Sequence, residues 1–141
     1  MNRPIGVLMM AYGGPNSLDE IPGYLADVAA CGGDVIGVDF RLPLGRAWES
    51  IGFERAIQGN LDPAALLAPW RELQFQAGRV LEEAAGRTGH IFNLGHGLFQ
   101  ATPEENVRRL VDAVHEMTRR PLPGAGHAIP QAAGQPGKVG Q

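Results

Sequence analysis

Four short apolar segments, each followed by a turn and a helix-like pattern, constrain the fold of this chain more than any other feature. They cover residues 5–14, 34–40, 56–60 and 90–97. A strand that is followed by a helix several times in succession is typical of a parallel sheet whose strands are joined by right-handed helical crossovers. The sequence therefore predicts an α/β fold of about four parallel strand-helix units.

Proline and capping residues indicate where the helices begin. Asp62 and Thr102 each precede a proline, which is favoured at the first helical position. Ser17 and Glu20 have the spacing of a capping box, in which each side chain satisfies the other's free backbone amide. A helix is also predicted around residues 44–51. Apolar residues at steps of three and four predict two longer helices, with the stripes Trp70, Leu73, Ala77, Val80, Leu81 and Ala84, and Val107, Leu110, Val111, Val114 and Met117.

Composition and charge narrow the possible function classes. The 141 residues carry a formal net charge of -3, so nucleic-acid binding is not expected. The apolar run near the N-terminus is too short to span a bilayer, and the single cysteine, Cys31, fits a reducing compartment. A cytoplasmic protein without a membrane contact is therefore expected. Residues 121–141 are rich in Gly, Pro, Ala and Gln without an apolar period, which predicts a disordered tail.

Polar side chains follow the predicted strands at the point where each strand ends. In parallel α/β folds, open or closed into a barrel, ligands bind at the carboxyl ends of the strands. These side chains are therefore expected to form one binding site. The set consists of Tyr12, Asn16, Asp39, Asn60, Asp62, Asn93 and His96.

The histidine between two glycines, His96, has two explanations. It is either an ordinary turn residue bonded to a backbone carbonyl, or the glycines at 95 and 97 let a ligand approach it closely. Strand alternation places His90 and His96 on one face but at opposite ends of the strand, so the two are not expected to share a metal ion. No other group of residues has the spacing of metal ligands, so no metal site is predicted.

The two aspartates at strand ends also have competing explanations. Asp62 fits a helix cap better than a catalytic acid, because a proline follows it. Asp39 either binds a substrate or pairs with Arg41 or Arg46. The sequence does not decide between these roles for Asp39.

From about residue 30 to residue 119 the chain resembles the C-terminal part of the uroporphyrinogen decarboxylase family. The stretches that carry the resemblance are "GGDVIGVDFRLPL", "AIQGNLDPAALLAP" and "GRTGHIFNLGHGLFQATPEENVRRLVDAVHEM". The resemblance implies a partial (β/α)8 (TIM) barrel and a role in porphyrin and heme biosynthesis. In that family uroporphyrinogen III is decarboxylated to coproporphyrinogen III and CO2 without a cofactor.

The same resemblance implies roles for individual residues. The histidine of the family's "NLGHG" stretch contacts the tetrapyrrole substrate, which points to His96, and the glycines beside it are expected to clear space for the flat ring. Asn93 lies in the same stretch and is expected to contribute to substrate binding. Asp39 and Asn60 are expected at the rim of the site or just behind it.

The first 28 residues resemble a different family. The stretch "IGVLMMAYGGPNSLDEIPGYLADV" is similar to the amino terminus of ferrochelatase, in which the tyrosine of the "MAYG" stretch sits at the porphyrin face. That resemblance implies a porphyrin contact for Tyr12. Three segments are therefore predicted: a ferrochelatase-like strand and helix over residues 1–28, a decarboxylase-like segment over residues 30–120, and the tail.

The sequence also departs from both families. The decarboxylase family needs an N-terminal arginine-rich loop and an aspartate that binds the pyrrole NH groups, and neither stretch is present. The chain is therefore expected to be a truncated or fused piece that is inactive alone. Ferrochelatase-like metallation and a non-catalytic porphyrin-binding remnant remain alternatives. An open sheet edge predicts a possible homodimer, because unpaired strand edges favour pairing with another chain.

Overall fold

The structure, a computed structural model, describes residues 8–9 and 15–119, and only the backbone of residues 8 and 9. Its strands are β1 (Leu8–Met9), β2 (Val35–Gly37), β3 (Ala56–Leu61) and β4 (His90–Leu94). Its α-helices are α1 (Ile21–Ala30), α2 (Leu44–Ile51), α3 (Trp70–Ala84) and α4 (Glu104–Met117). Two short 3-10 helices, Leu18–Glu20 and Pro63–Leu67, precede α1 and α3. The predicted tyrosine contact, Tyr12, and the predicted tail over residues 121–141 lie outside the described residues.

The described strands form one parallel sheet in the order β1-β2-β3-β4. Neighbours in the sheet are therefore also neighbours along the chain, with a helix between successive strands. The α/β fold with a parallel sheet is confirmed. The register aligns Ile36 with Ile57 and Ile57 with His90, so these three side chains lie in one row across the sheet.

One face of the sheet carries two apolar clusters. The first cluster joins α1 and α2 to Ile36 and Ile57, and its largest side chain, Trp48, is fully buried and donates from Nε1 to the carbonyl oxygen of Arg55 over 2.8 Å. The second cluster joins α3 and α4 to the ends of β3 and β4, where Phe92 and Leu94 pack. Both clusters use the same face because side chains alternate along a strand.

The opposite face, here called the open sheet face, carries Gly37, Gln58, Ile91 and Asn93. Strand alternation and the register place these residues together. None of them belongs to either apolar cluster, and Ile91 is 45% exposed. Within the described residues the helices therefore cover only one side of the sheet.

The predicted helix starts are only partly correct. Asp62 caps its 3-10 helix as expected, because its Oδ1 accepts from the backbone N of Ala64 over 2.8 Å. The capping box is wrong: Ser17 makes no capping bond, and the carboxylate of Glu20 accepts instead from the backbone N of Asn16. The last helix begins at Glu104, with Pro103 rather than Thr102 in the capping position. No helix in the described ranges is long and apolar enough to cross a membrane.

His90 is half-buried at the start of β4 and faces the helices. Its ring centroid lies 6.2 Å from those of Trp48 and Phe92, and its Nε2 lies 2.8 Å from the carbonyl oxygen of Gly59. Because a carbonyl oxygen only accepts hydrogen bonds, Nε2 carries the hydrogen. Burial lowers the pKa of His90 below its ordinary value of 6.5, which outweighs the opposite effect of the bond to Gly59.

Acidification should destabilise the fold through His90. The ring binds its proton at lower pH in the folded chain than in the unfolded chain, whose histidine has the ordinary pKa of 6.5. Between these two values the unfolded chain holds more protons, so the free energy of unfolding falls as the pH drops below about 6.5. His90→Asn replaces the ring N–H donor by an amide N–H donor that does not titrate. The variant should therefore show a smaller decline of the free energy of unfolding below pH 6.5, measured by urea unfolding at a series of pH values.

His115, on the exposed side of α4, provides the matched control. His115→Asn should keep the wild-type dependence of stability on pH. An equally steep decline in His90→Asn would contradict the assignment to His90.

Candidate functional site

A cavity of about 760 Å³ lies at the carboxyl edge of the sheet, between α1 and the segments that follow β2 and β4. Cavities of 300–1,000 Å³ are the usual size of small-molecule sites. Helix α1 contributes an apolar side with Ile21, Leu25 and Val28. The polar side chains of the lining are Tyr24 of α1 together with Asp39, Arg41, Gln58, Asn93 and His96.

Asp39 and Arg41 form an ion pair on one wall of the cavity. The Nε atom of Arg41 lies 2.5 Å from Oδ2 of Asp39, and the backbone N of Arg41 donates to Oδ1 over 3.0 Å. The sequence left two possible partners for Asp39, and the structure shows that Arg41 is the one that pairs with it. The Nε atom of Arg46 lies instead 3.8 Å from Oε2 of Glu49. Sequence reasoning did not propose Arg41 as a lining residue, although its position two residues after Asp39 was a usable signal.

Asn60 lies behind this wall rather than in the lining of the cavity. It is 5% exposed, and its Nδ2 donates to the carbonyl oxygens of Asp39 and Leu42 over 2.9 and 2.7 Å. It also borders a smaller neighbouring cavity of about 410 Å³. A buried amide that bonds two carbonyls of one loop fixes the path of that loop, so Asn60 positions the segment that carries Asp39 and Arg41.

Asn93 and His96 form the opposite wall. Asn93 lies on the open sheet face, and its Oδ1 accepts from the backbone N of Leu94 over 2.8 Å. His96 is exposed and lies two residues beyond the end of β4. The predicted alternation of His90 and His96 on one face is wrong, because β4 ends at Leu94: His90 packs beneath the helices while His96 lines the cavity.

The two glycines around His96 have different roles. A Cβ atom on Gly95 would collide with the backbone N of Phe40 and would lie 2.9 Å from the carbonyl carbon of Asp39, whereas a Cβ on Gly97 would meet no atom of the described residues within 4 Å. The backbone N of Gly95 also donates to the carbonyl oxygen of Leu61 over 2.8 Å. The expectation that both glycines clear space for a ligand is therefore wrong for Gly95, whose missing side chain lets two segments touch.

The described part of the chain offers no set of side chains for a metal ion. Nowhere in it do three or more His, Cys, Asp or Glu side chains converge. Asp62, one of the strand-end carboxylates, is occupied as a helix cap. The lining of the cavity instead combines an ion pair, two amides, an imidazole and a phenol with an apolar side, a mixture that is usual for a small-molecule site.

Comparison with known proteins identifies the family to which the chain belongs. A sequence model described as uroporphyrinogen decarboxylase (URO-D) matches residues 8–117. The chain belongs to the uroporphyrinogen decarboxylase family. This match begins within the stretch that resembled ferrochelatase and runs through it, so the ferrochelatase-like segment predicted for residues 1–28 is not supported.

Individual members of the uroporphyrinogen decarboxylase family are close in sequence. The chain is 54% identical over 91 residues to uroporphyrinogen decarboxylase of Carboxydothermus hydrogenoformans, a match that covers 64% of this chain and 26% of that protein. The corresponding enzyme of Sorangium cellulosum is 54% identical over 93 residues, with 66% and 27% covered. That of Solibacter usitatus is 45% identical over 114 residues, with 81% and 32% covered. The chain thus spans between 26% and 32% of the length of these curated relatives.

Gly95→Ala should destabilise the chain by about 1–3 kcal/mol, because an added methyl group must push apart two closely packed backbone segments. Gly97→Ala should change stability by about 0.5 kcal/mol or less, since the space beside Gly97 is open. Urea unfolding of the two variants measures the difference. Equal stability of both would show that the close approach at Gly95 does not hold the site together.

Proposed function

We propose that this chain forms the C-terminal part of the substrate cleft of a uroporphyrinogen decarboxylase. The observation that carries the proposal is that one cavity, in a chain of this family, brings His96 and Asn93 together with Asp39. The ligand is a uroporphyrinogen, a tetrapyrrole with acidic side chains. The reaction of the complete enzyme removes carboxyl groups as CO2 to give coproporphyrinogen.

The sheet is proposed to be part of a (β/α)8 barrel. In such a barrel the strands follow the chain order, the helices cover the outer face, and the other face looks inward. The order β1-β2-β3-β4 and the restriction of both apolar clusters to one face support this arrangement. The open sheet face would then look into the barrel, and the cavity would lie at its carboxyl end, where ligands bind in this fold.

Three side chains have proposed binding roles in this cleft. His96 donates to a substrate carboxylate, since no described residue forms a hydrogen bond with its ring in the structure. Asn93 offers an amide beside it on the same wall. Asp39, tied to Arg41, lies at the rim, and the buried Asn60 fixes the loop that carries both.

The decarboxylation is proposed to require only substrate binding and proton transfer from the protein. Protonation of a pyrrole ring lets the bond to the departing carboxyl carbon break, the ring accepts the electron pair, and CO2 leaves. A proton then adds to the carbon that lost the carboxyl group, and the ring releases the proton that it took up, so one proton is consumed for each CO2 released. The pyrrole ring serves as the electron sink, so no cofactor is required, and the residues of this chain hold the acidic substituents in position.

His96→Ala should weaken binding of uroporphyrin to the full chain by roughly tenfold to a hundredfold, because a hydrogen bond to a charged group contributes about 1.5–3 kcal/mol. Titration of the porphyrin Soret absorption measures the dissociation constant. His115→Ala, on the exposed side of α4, is the matched control and should bind like the wild type.

The same samples separate binding from turnover. The chain without further protein should release no CO2 from uroporphyrinogen, because the arginine-rich loop and the pyrrole-binding aspartate that the family resemblance requires are not in its sequence. Unaltered uroporphyrin affinity in His96→Ala would refute the role of His96. Binding without CO2 release is also the behaviour of a porphyrin-binding remnant, and activity tests with the remaining part of a uroporphyrinogen decarboxylase distinguish the two.

We also propose that, in the chain by itself, the edge of β4 that pairs with no described strand binds a second copy of the chain, whereas in a closed barrel the next strand would occupy this edge. β4 is the last strand of the sheet order, and Ile91 is an apolar side chain that is 45% exposed on it. Sedimentation velocity should show a dimer, and Ile91→Lys should shift it to monomer because charges on edge strands oppose pairing. Val111→Lys, at 48% exposure on α4, should leave the dimer intact. A monomeric wild-type chain at all concentrations would exclude this pairing.

A further inference from the structure

We propose that Arg41 is a specificity-determining residue of the cleft, whose guanidinium binds a carboxylate of the tetrapyrrole while Asp39 keeps it oriented. This inference rests on the proposed function and deepens it, because it assigns the preference for the more acidic porphyrin to one side chain.

The position of Arg41 is the first argument. Among the described residues that line the main cavity, Arg41 is the one Lys or Arg side chain. A guanidinium group stays charged in proteins and presents its N–H donors in a fork that matches a carboxylate. The side chain of Arg41 is 41% exposed, so a ligand in the cavity can reach it.

The orientation of Arg41 is the second argument. Its Nε lies against Asp39, and its Nη1 lies 3.4 Å from the carbonyl oxygen of Pro15. A guanidinium has five N–H donors, and these two bonds use only part of them. Among the described residues nothing pairs with the second terminal nitrogen. Asp39 therefore fixes the fork while leaving donors available for an incoming carboxylate.

The connection between the two walls is the third argument. Gly95 packs against the backbone of Asp39 and Phe40, so the segment that carries His96 and the segment that carries Arg41 are in direct contact. Both side chains line the same cavity. A flat ligand with carboxylates around its edge can therefore meet a cationic group on one wall and an imidazole on the other.

The simpler explanation is that Arg41 only closes a local loop with Asp39. An exposed ion pair two residues apart is weak in water, and such pairs often have no role in binding. The two explanations differ in their consequences for the ligand. A residue that only closes the loop would affect all porphyrins alike, whereas a carboxylate-binding residue would affect the porphyrin with more carboxylates most.

The experiment compares uroporphyrin with coproporphyrin, which lacks the carboxyl groups that the reaction removes. Soret titrations of the full chain give both dissociation constants. Arg41→Gln should weaken uroporphyrin binding about tenfold more than coproporphyrin binding, as expected for the loss of one charged hydrogen bond. Arg41→Lys keeps the charge without the fork and should retain part of the preference. Arg46→Gln is the matched control, because Arg46 lies outside the cavity lining beside Glu49.

Asp39→Asn provides the opposite test. It replaces the carboxylate by an amide whose oxygen can still accept a hydrogen bond from Arg41, so the guanidinium stays oriented and the preference for uroporphyrin should be retained. Equal losses for both porphyrins in Arg41→Gln, or no loss, would overturn the proposal. A loss of uroporphyrin binding in Asp39→Asn equal to that in Arg41→Gln would do the same, since it would show that the pair acts by holding the loop.

The outcomes also separate this inference from the proposed function. If Arg41→Gln fails to fold by circular dichroism, Arg41→Lys decides. A reduced preference for uroporphyrin supports the inference, provided that Arg46→Lys keeps the wild-type preference, and an unchanged preference contradicts it. If His96→Ala weakens binding and the Arg41 variants do not, the proposed function stands and this inference fails. If the wild-type chain binds neither porphyrin, both fail.

Discussion

The end of β3 holds the two walls of the cleft together. Asn60 uses its buried amide to bond the carbonyls of Asp39 and Leu42, and the next residue, Leu61, accepts from the backbone N of Gly95. One strand end therefore fixes both the loop after β2 and the loop after β4. Because a buried amide without partners is costly, these bonds strongly favour a single arrangement of the two loops. The positions of Asp39, Arg41 and His96 in the lining depend on it.

The glycine at position 95 makes this arrangement possible. The strands β2 and β4 are not neighbours in the sheet, yet the segments after them touch above the end of β3. Any side chain at Gly95 would occupy the place of the Phe40 backbone. The two glycines around His96 therefore differ in role. Gly95 is required for close packing of the backbone, whereas Gly97 has open space beside it among the described residues.

The electrostatics of the cleft follow from the same loops. The opposite charges of Asp39 and Arg41 cancel. The pair therefore places a guanidinium in the cavity lining without adding net charge. His96 stands on the facing wall. A guanidinium on one wall and an imidazole on the other are the groups on which the proposed binding of an acidic ligand rests. On the open sheet face beside the cavity, Ile91 is 45% exposed in the described part of the chain.

The sequence by itself determined the repeating units, the helix over Leu44–Ile51, the cap at Asp62 and the family, because these depend on local periodicity and on ordered stretches of sequence. The sequence also predicted that the polar residues lie at one edge of the sheet, since the carboxyl ends of parallel strands meet at the same edge. Only the tertiary structure decided which of them share a cavity. That His90 turns under the helices, that Arg41 joins the lining and that Asn60 lies behind it result from packing between segments distant in sequence. No periodic pattern encodes such contacts, because they depend on where each strand ends and on how closely two backbones approach.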